Sequence, residues 1–457
     1  VDVFDGVDWE GPVVATCVCP DGRVIVLPGV DAGVPEGPMS FRATSRYTPT
    51  ATGPHVFSMI ELGRARVSID STVVFDGITN ATPRGDAYFG IAGQELSILI
   101  DLTEGHAVTI DVEFVTVVKS WLQGVRLGCK PVPSADLMDR AVAAASRADA
   151  VIVIVGTNDD WETEGNDRAT MDLPGAQCEL IERVSRANRN TAIVVNAGAP
   201  VATPWAAEAP AVLMAWFGGQ EMANALVDVL FGSTDPSGRL ATTFPDCIEH
   251  TPSFGNFPGE HGQIRYGEGV LIGYRWYEAR KLPVPYAFGH GLSYTTFALG
   301  EAHVTATPAT GVDVPEGDLD GVNGTKKFDE ETGVTVSVTV TNRGDRRGAE
   351  VVQCYVGSVQ PRVFRPNKEL KAFQKVWLDP AESTTVTFTL DARAFAYWDP
   401  GSAYKGTIIP SAAGTWHSTA FAAPGWRVDG GDYRIHIGRA SDDIAHVTTI
   451  RLRGDGT

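Results

Sequence analysis

Residues 151–175 read VIVIVGTNDDWETEGNDRATMDLPG, and the fold turns on that stretch. Its first part, Val151 to Gly156, is five β-branched apolar residues closed by a glycine, the pattern of a strand buried on both faces of a parallel sheet. The acidic part, Asn158 to Gly175, therefore lies at the carboxyl end of a strand. Ligands collect at that edge of open α/β sheets, because the loops leave a crevice there. Asp159, Asp160, Glu162 and Glu164 crowd into the loop, with Asp167 beside Arg168. Carboxylates so close resist ionising together, so at least one is expected to keep its proton to higher pH than a free Glu. Such a group is a candidate general acid.

Outward from this loop the periodicity is that of alternating helices and strands. Upstream, Ser134 is placed to cap a helix with Leu137, Met138, Ala141, Val142, Ala145 and Ala148 along one face. Downstream, Pro174 opens a helix burying Leu180, Ile181, Val184 and Ala187. Strands follow at 191–195 and 211–217, then a helix over 220–231 that stops at Gly232. This is a doubly wound α/β unit with three clear parallel strands, a small sheet with an open edge. Its missing strands are expected on a partner.

Residues 1–129 alternate apolar and polar. Leu96, Ile98, Ile100 and Leu102 form one strand face, and Val108, Ile110, Val112 and Phe114 another beyond Glu104-Gly105, so a hairpin is predicted. The segments 55–60 and 65–69, parted by Gly63, repeat the pattern, as in an all-β module. The loop PRGDAYFGIAG at 83–93 carries Tyr88 and Phe89, which can stack on a sugar face or pack back onto the sandwich. Residues 303–333 read as a long surface connection. Within it GDLDGVNG misses the EF-hand offsets, so a solvated loop is expected rather than a calcium site. Beyond it Val334, Val336, Val338 and Val340, then Val386, Phe388 and Leu390, then Tyr433, Ile435 and Ile437 keep a spacing of two, a second β-sandwich. The expected fold class is multidomain: a β-sandwich module over 1–129, a partial α/β parallel-sheet domain over 130–286, and a further β-sandwich over 287–457.

Composition agrees with several domains in a chain of 457 residues. A formal net charge of -19 repels nucleic acid and anionic membranes, and leaves neutral ligands such as sugars compatible. No apolar run is long enough to span a bilayer. The first residues, VDVFDGVDWEG, show neither the basic nor the apolar region of a signal peptide. The 6 cysteines form no C-x-x-C pair and read as buried thiols of a reducing compartment, favouring a cytoplasmic location over secretion. Cys17 and Cys19 share a strand face without identifiable metal partners. The 9 histidines show no metal-ligand spacing, so neither a metal nor a cofactor is expected.

No G-x-S-x-G is present, and G-H-G at Gly289 to Gly291 lacks the rest of a dinucleotide fingerprint. That leaves the carboxylates. Glycoside hydrolysis needs one acid to protonate the leaving oxygen and a second carboxylate to attack or to activate water. Glu164 is the best acid, since Gly165 leaves room for a substrate. For Glu164 a catalytic and a merely solvated role stay open on composition and spacing, whereas Asp167 and Arg168 read as a loop-anchoring ion pair.

The segments WETEGNDRATMDLPGAQCELIERV, NRNTAIVVNAGAPVATPW and AWFGGQEMANALVDVLFGSTDPSGRLATTFP resemble the second α/β domain of glycoside hydrolase family 3. YAFGHGLSYTTF, VTVTNRGDRRGAEVVQCYV, RPNKELKAFQKVWLDP and GDYRIHIG are similar to that family's fibronectin type III-like domain. FDGVDWEGPVV, GRARVSIDSTVVFDG and RGDAYFG resemble the protective-antigen-type β-sandwich that some members carry inserted in the α/β domain. The resemblance implies a retaining β-glucosidase whose acid/base is Glu164, in the E-G-x-D-R motif. Its nucleophile would be an Asp of an S-D-W motif on a (β/α)8 barrel, expected here on a partner chain. The D-D-W at Asp159 to Trp161 is not that motif. The resemblance also brings the RGDAYFG loop to the rim of the sugar site, making Tyr88 and Phe89 expected substrate-binding residues; Trp161, on the acidic loop itself, is a third candidate. The implied substrate is a terminal β-D-glucoside, with a β-xyloside as the alternative, and homo-oligomerisation stays compatible. The rival reading is a non-catalytic carbohydrate-binding or assembly subunit.

Overall fold

The computed structural model describes residues 1–85, 87–117, 120–164, 167–306, 312–313, 333–400, 408–410, 416–418 and 425–452. Gly165 and the GDLDGVNG segment lie outside them. The chain groups into two compact units, the first holding Val1–Ile152, Gly156–Ala169 and Glu179–Thr191, the second Val153–Val155, Thr170–Cys178 and Ala192–Thr457.

In the first unit the alternating segments form two antiparallel sheets. One has six strands in the order Val13–Thr16, Asp2–Asp5, Met39–Tyr47, Val108–Val115, Arg64–Ile69 and Thr72–Asp76; the other has four, Arg23–Val26, Gln123–Pro131, Gly53–Leu62 and Leu96–Leu102. Their inward residues, among them Met39, Phe41, Phe57, Met59, Phe114 and Val125, make one core. Phe41 and Phe114 face each other across the Met39–Tyr47 and Val108–Val115 strands, their rings stacked at 4.6 Å. Each such aromatic contributes about 1.5–3 kcal/mol by burial.

The hairpin predicted from residue 96 to 115 does not form. Leu96–Leu102 pairs with Gly53–Leu62 in the four-stranded sheet, whereas Val108–Val115 pairs with Met39–Tyr47 and Arg64–Ile69 in the six-stranded one. Alternation specifies which face of a strand is buried, and it is the same whether two strands are neighbours or face each other across the core. Gly63 makes a similar crossing between Gly53–Leu62 and Arg64–Ile69. Its φ is +145°, and a Cβ there would sit 2.4 Å from the Phe114 ring.

The helices fall where the periodicity puts them, at Leu137–Ala145, Gln177–Ala187 and Met222–Leu230. Ser134 is not the cap: Asp136 occupies that position without a side-chain capping bond, and Ser134 accepts from Leu137 N through its carbonyl at 3.1 Å and from Arg140 Nη1 through its hydroxyl at 3.4 Å. Val151–Gly156, Thr191–Asn196 and Ala211–Met214 make a three-stranded sheet, the last two parallel. The first strand is buried on one face only, since Ile152 and Ile154 are 46% and 67% exposed while Val153 and Val155 are buried. A run of β-branched residues permits burial on both faces but does not require that both be covered.

In the second unit, Phe297–Ala306, Gly333–Asn342 and Ser383–Asp391 form one sheet, and Gly431–Gly438, flanked by Ile444–Leu452 and Gly348–Ser358, runs through a five-stranded other. Every residue of the three predicted apolar series, Val334 to Val340, Val386 to Leu390 and Tyr433 to Ile437, lies in the shared core. All six cysteines are free, but Cys354 alone is buried and Cys17 is exposed, which corrects the expectation of buried thiols. Among the described residues no helix is long and apolar enough to cross a membrane.

Candidate active site on the acidic loop

The loop begins as a tight turn. Trp161 N and Glu162 N both donate to the Asn158 carbonyl, at 3.0 and 2.8 Å, and Asp160 N donates to Asn158 Oδ1 at 3.1 Å, a side-chain turn of the kind Asn favours. The turn sends successive carboxylates in different directions. Glu162 points inward, accepting from Thr157 Oγ1 at 2.5 Å and lying 4.0 Å from Arg168 Nη1, both side chains being largely buried. The loop-anchoring pair is therefore Arg168 with Glu162, not Arg168 with Asp167, which is exposed. A pair from 162 to 168 closes the loop on itself, a linkage adjacent residues cannot make.

Asp159 and Asp160 point the other way, to the sandwich. Arg126, on Gln123–Pro131, grips Asp160 with two nitrogens at 2.5 and 2.9 Å. Arg23, opposite Arg126 in the ladder, reaches Asp159 at 3.3 Å while also bonding Asp21. The hydrogen bond from Arg126 holds the Asp160 carboxyl below the ordinary aspartate range, opposite to the shift expected from crowding alone. Cations from a distant strand offset the repulsion. Neither arginine was singled out from the sequence. The available signal was their place on two strands whose pairing only the fold reveals.

The hydrogen bonds to Asp160 and Asp21 favour the protonated forms of Arg126 and Arg23. The loop around Tyr88 is cinched by Gly85 N to Ala92 O at 2.9 Å and Gln94 N to Pro83 O at 2.7 Å. Within it Tyr88 and Phe89 take φ of 52° and 61°, left-handed conformations that cost bulky residues free energy and cluster at ligand sites. Phe89 is 48% exposed and Trp121 60%, their ring centroids 6.0 Å apart. Trp121 is a surface aromatic that sequence reasoning passed over. Trp161 is half-buried, and its indole N–H has no acceptor among the described residues.

Glu164 is exposed. Among the described residues no contact joins it to Tyr88 or Phe89, and no group of acids, histidines and cysteines is arranged to hold a metal. The loop thus leaves the Glu164 and Asp167 carboxyls accessible while those at 159, 160 and 162 are engaged.

Residues 25–294 match the glycosyl hydrolase family 3 C-terminal domain, and residues 350–441 a fibronectin type III-like domain. The chain is 39% identical to a probable β-glucosidase I of Emericella nidulans over 77% of its own length and 42% of that protein's. It is 36% identical to a β-glucosidase of Rhizobium radiobacter over 91% of its length and 47% of the relative's. The crystal structure of a Kluyveromyces marxianus β-glucosidase in complex with glucose superposes with a TM-score of 0.82 at 30% identity, covering 99% of this chain and 50% of that one. The chain thus spans about half the length of the relatives it matches.

Proposed function

Because the chain belongs to glycoside hydrolase family 3, we propose that it supplies the general acid/base of a retaining β-glucosidase, with Glu164 as that residue. The observation that carries this reading is the division of labour among the loop's acids. Asp159, Asp160 and Glu162 are held by Arg23, Arg126, and Thr157 with Arg168, whereas Glu164 is accessible and lies in the E-G-N-D-R sequence. Asp167, also exposed, lies outside the acid position of that motif.

The second carboxylate is an Asp on a (β/α)8 barrel that the described residues do not form. It attacks the anomeric carbon while the Glu164 carboxylic acid gives its proton to the departing glycosidic oxygen. The resulting Glu164 carboxylate then takes a proton from water, whose oxygen displaces the Asp and restores the acid. Retention of configuration requires the two carboxyl groups to stand about 5–5.5 Å apart, so the barrel must seat closely on this loop. Asp159 and Asp160 do not serve as that nucleophile, because each is committed to an arginine. The substrate is a terminal β-D-glucoside, in keeping with the neighbour crystallised with glucose, and Tyr88 and Phe89 form an apolar rim for the sugar.

The test is hydrolysis of an aryl β-glucoside by this chain alone, by a family barrel alone and by the two combined. Activity only in the combination supports the reading. Sugar binding without hydrolysis in the combination would make the chain a carbohydrate-binding subunit instead. An aryl β-xyloside assayed beside it ranks the two substrate classes.

A further inference from the structure

A cavity of about 840 Å³ in the second unit is walled in part by Arg275, Arg365, Glu369 and Lys371, with Trp398 and Trp426. Three cations converge on the one carboxylate of Glu369, Arg365 at 3.3 Å, Arg275 at 3.5 Å and Lys371 at 3.5 Å. Arg365 is further occupied by the carbonyls of Phe395 and Ala396, at 3.0 and 3.3 Å. Arg275 and Lys371 keep donors in reserve. Arg275 Nε is buried with no hydrogen-bond acceptor among the described residues, and Lys371 makes one long contact with a carboxylate already shared. Burial first, and then the neighbouring Arg365 and Arg275, push the Lys371 amine below the ordinary lysine range.

Among the described residues the other acids of the wall form no ion pair with Arg275, Arg365 or Lys371. Asp391 accepts from Ala394 N at 3.1 Å as a helix cap, and Asp399 pairs with Arg427 at 2.9 Å. In a chain of net charge -19, a half-buried group of cations in surplus is a place for an anion, since a further carboxylate would satisfy donors that burial otherwise leaves unmade. The aromatic side of the cavity is a cross-strand pair. Trp398 lies opposite Trp426, ring centroids 5.3 Å apart, each 51% exposed. The Arg393 guanidinium stacks on Trp426, which leaves Trp398 to offer an apolar face.

We propose that this cavity binds an acidic saccharide of the uronate class, its carboxylate taken by Arg275 and Lys371 and a sugar ring laid against Trp398. The volume lies within the range of small-molecule sites, and an aromatic face beside a fixed cationic fork matches a ligand that is a flat sugar on one side and an anion on the other.

The test is calorimetric titration of the whole chain with a disaccharide of glucuronic acid and glucose, with cellobiose, and with inorganic phosphate. The acidic disaccharide is expected to bind at least about tenfold more tightly than either control. Lys371→Met and Trp398→Ala should each weaken it by about tenfold, with thermal melts showing both variants folded. Trp398 is half exposed, so its variant remains informative even if Lys371→Met fails to fold. Equal binding of cellobiose would remove the role of the cations, and equal binding of phosphate the role of the sugar. Absence of binding, or binding indifferent to Trp398→Ala, would overturn the site.

Discussion

Arg126 grips both carboxylate oxygens of Asp160, at 2.5 and 2.9 Å, from a strand that begins beyond the first hundred residues of sandwich. The sandwich therefore does more than decorate the α/β region, because one of its strands fixes the turn that precedes Glu164. The fork of an arginine suits this task better than an ammonium, since two parallel hydrogen bonds set direction as well as distance.

The tether predicts a local effect. Arg126→Ala should speed hydrogen exchange of the Asp160–Glu162 amides by about fivefold, equivalent to about 1 kcal/mol for a partly exposed bidentate pair. Arg126→Lys should restore only part of the protection. Unchanged exchange in Arg126→Ala would show that the turn holds without the sandwich.

The strand pair behind the tether depends on Gly124. Its φ is +140°, and a Cβ there would lie 2.0 Å from the Val24 carbonyl oxygen, so the Arg23–Val26 and Gln123–Pro131 strands can approach only without a side chain. Gly124→Ala should destabilise the protein by about 2–3 kcal/mol, combining a left-handed strain with a backbone clash. It should also loosen Arg23 and Arg126 together. Denaturant unfolding measures the first effect and exchange of the acidic turn the second.

The aromatic loop should show stability traded against binding. Phe89 holds a left-handed φ of 61° and is 48% exposed, so Phe89→Gly removes backbone strain at little cost in packing. Stability should stay level or rise by about 0.5–1 kcal/mol, while affinity for glucose in the assembled enzyme falls. A loss of stability with unaltered affinity would assign Phe89 to packing against Trp121 instead.

In the second unit, burial holds the His436 imidazole down to about 4, helped by the charges of Lys368 and Arg434. The folded protein thus prefers the neutral ring. As pH falls from about 6.5 towards 4, the unfolded chain takes up a proton that the folded chain refuses, so stability is lost across that window and is complete above it. His436→Gln should show a smaller drop in melting temperature between pH 7 and pH 4.5. An equal drop would locate the acid sensitivity elsewhere.

What the sequence disclosed follows from what periodicity encodes. Val334 to Val340 and Tyr433 to Ile437 announce a buried face because alternation is a property of one strand and its core, and these residues lie inward as expected. Pairing is a property of two strands, which is why 96–102 and 108–115 read as a hairpin but occupy different sheets. The acidic loop was legible as a cluster, and the proposal that Glu164 is its acid rests on the resemblance of its motif. The partners of the other carboxylates were not, because Arg23 and Arg126 come from separate strands of the sandwich and Arg168 bypasses its sequence neighbour for Glu162. Charge crowding counted along the sequence omits the cations that folding brings in.

The central claim, that Glu164 is the proton donor to the leaving group, is tested most directly by comparing Glu164→Ala with the unaltered chain, each combined with the barrel, on two β-glucosides. Cellobiose has a poor leaving group and needs the proton, whereas 2,4-dinitrophenyl β-glucoside departs without it. The account predicts a loss of about 100-fold or more in kcat/KM on cellobiose and a far smaller loss on the activated glucoside. Equal losses on the two substrates would contradict it.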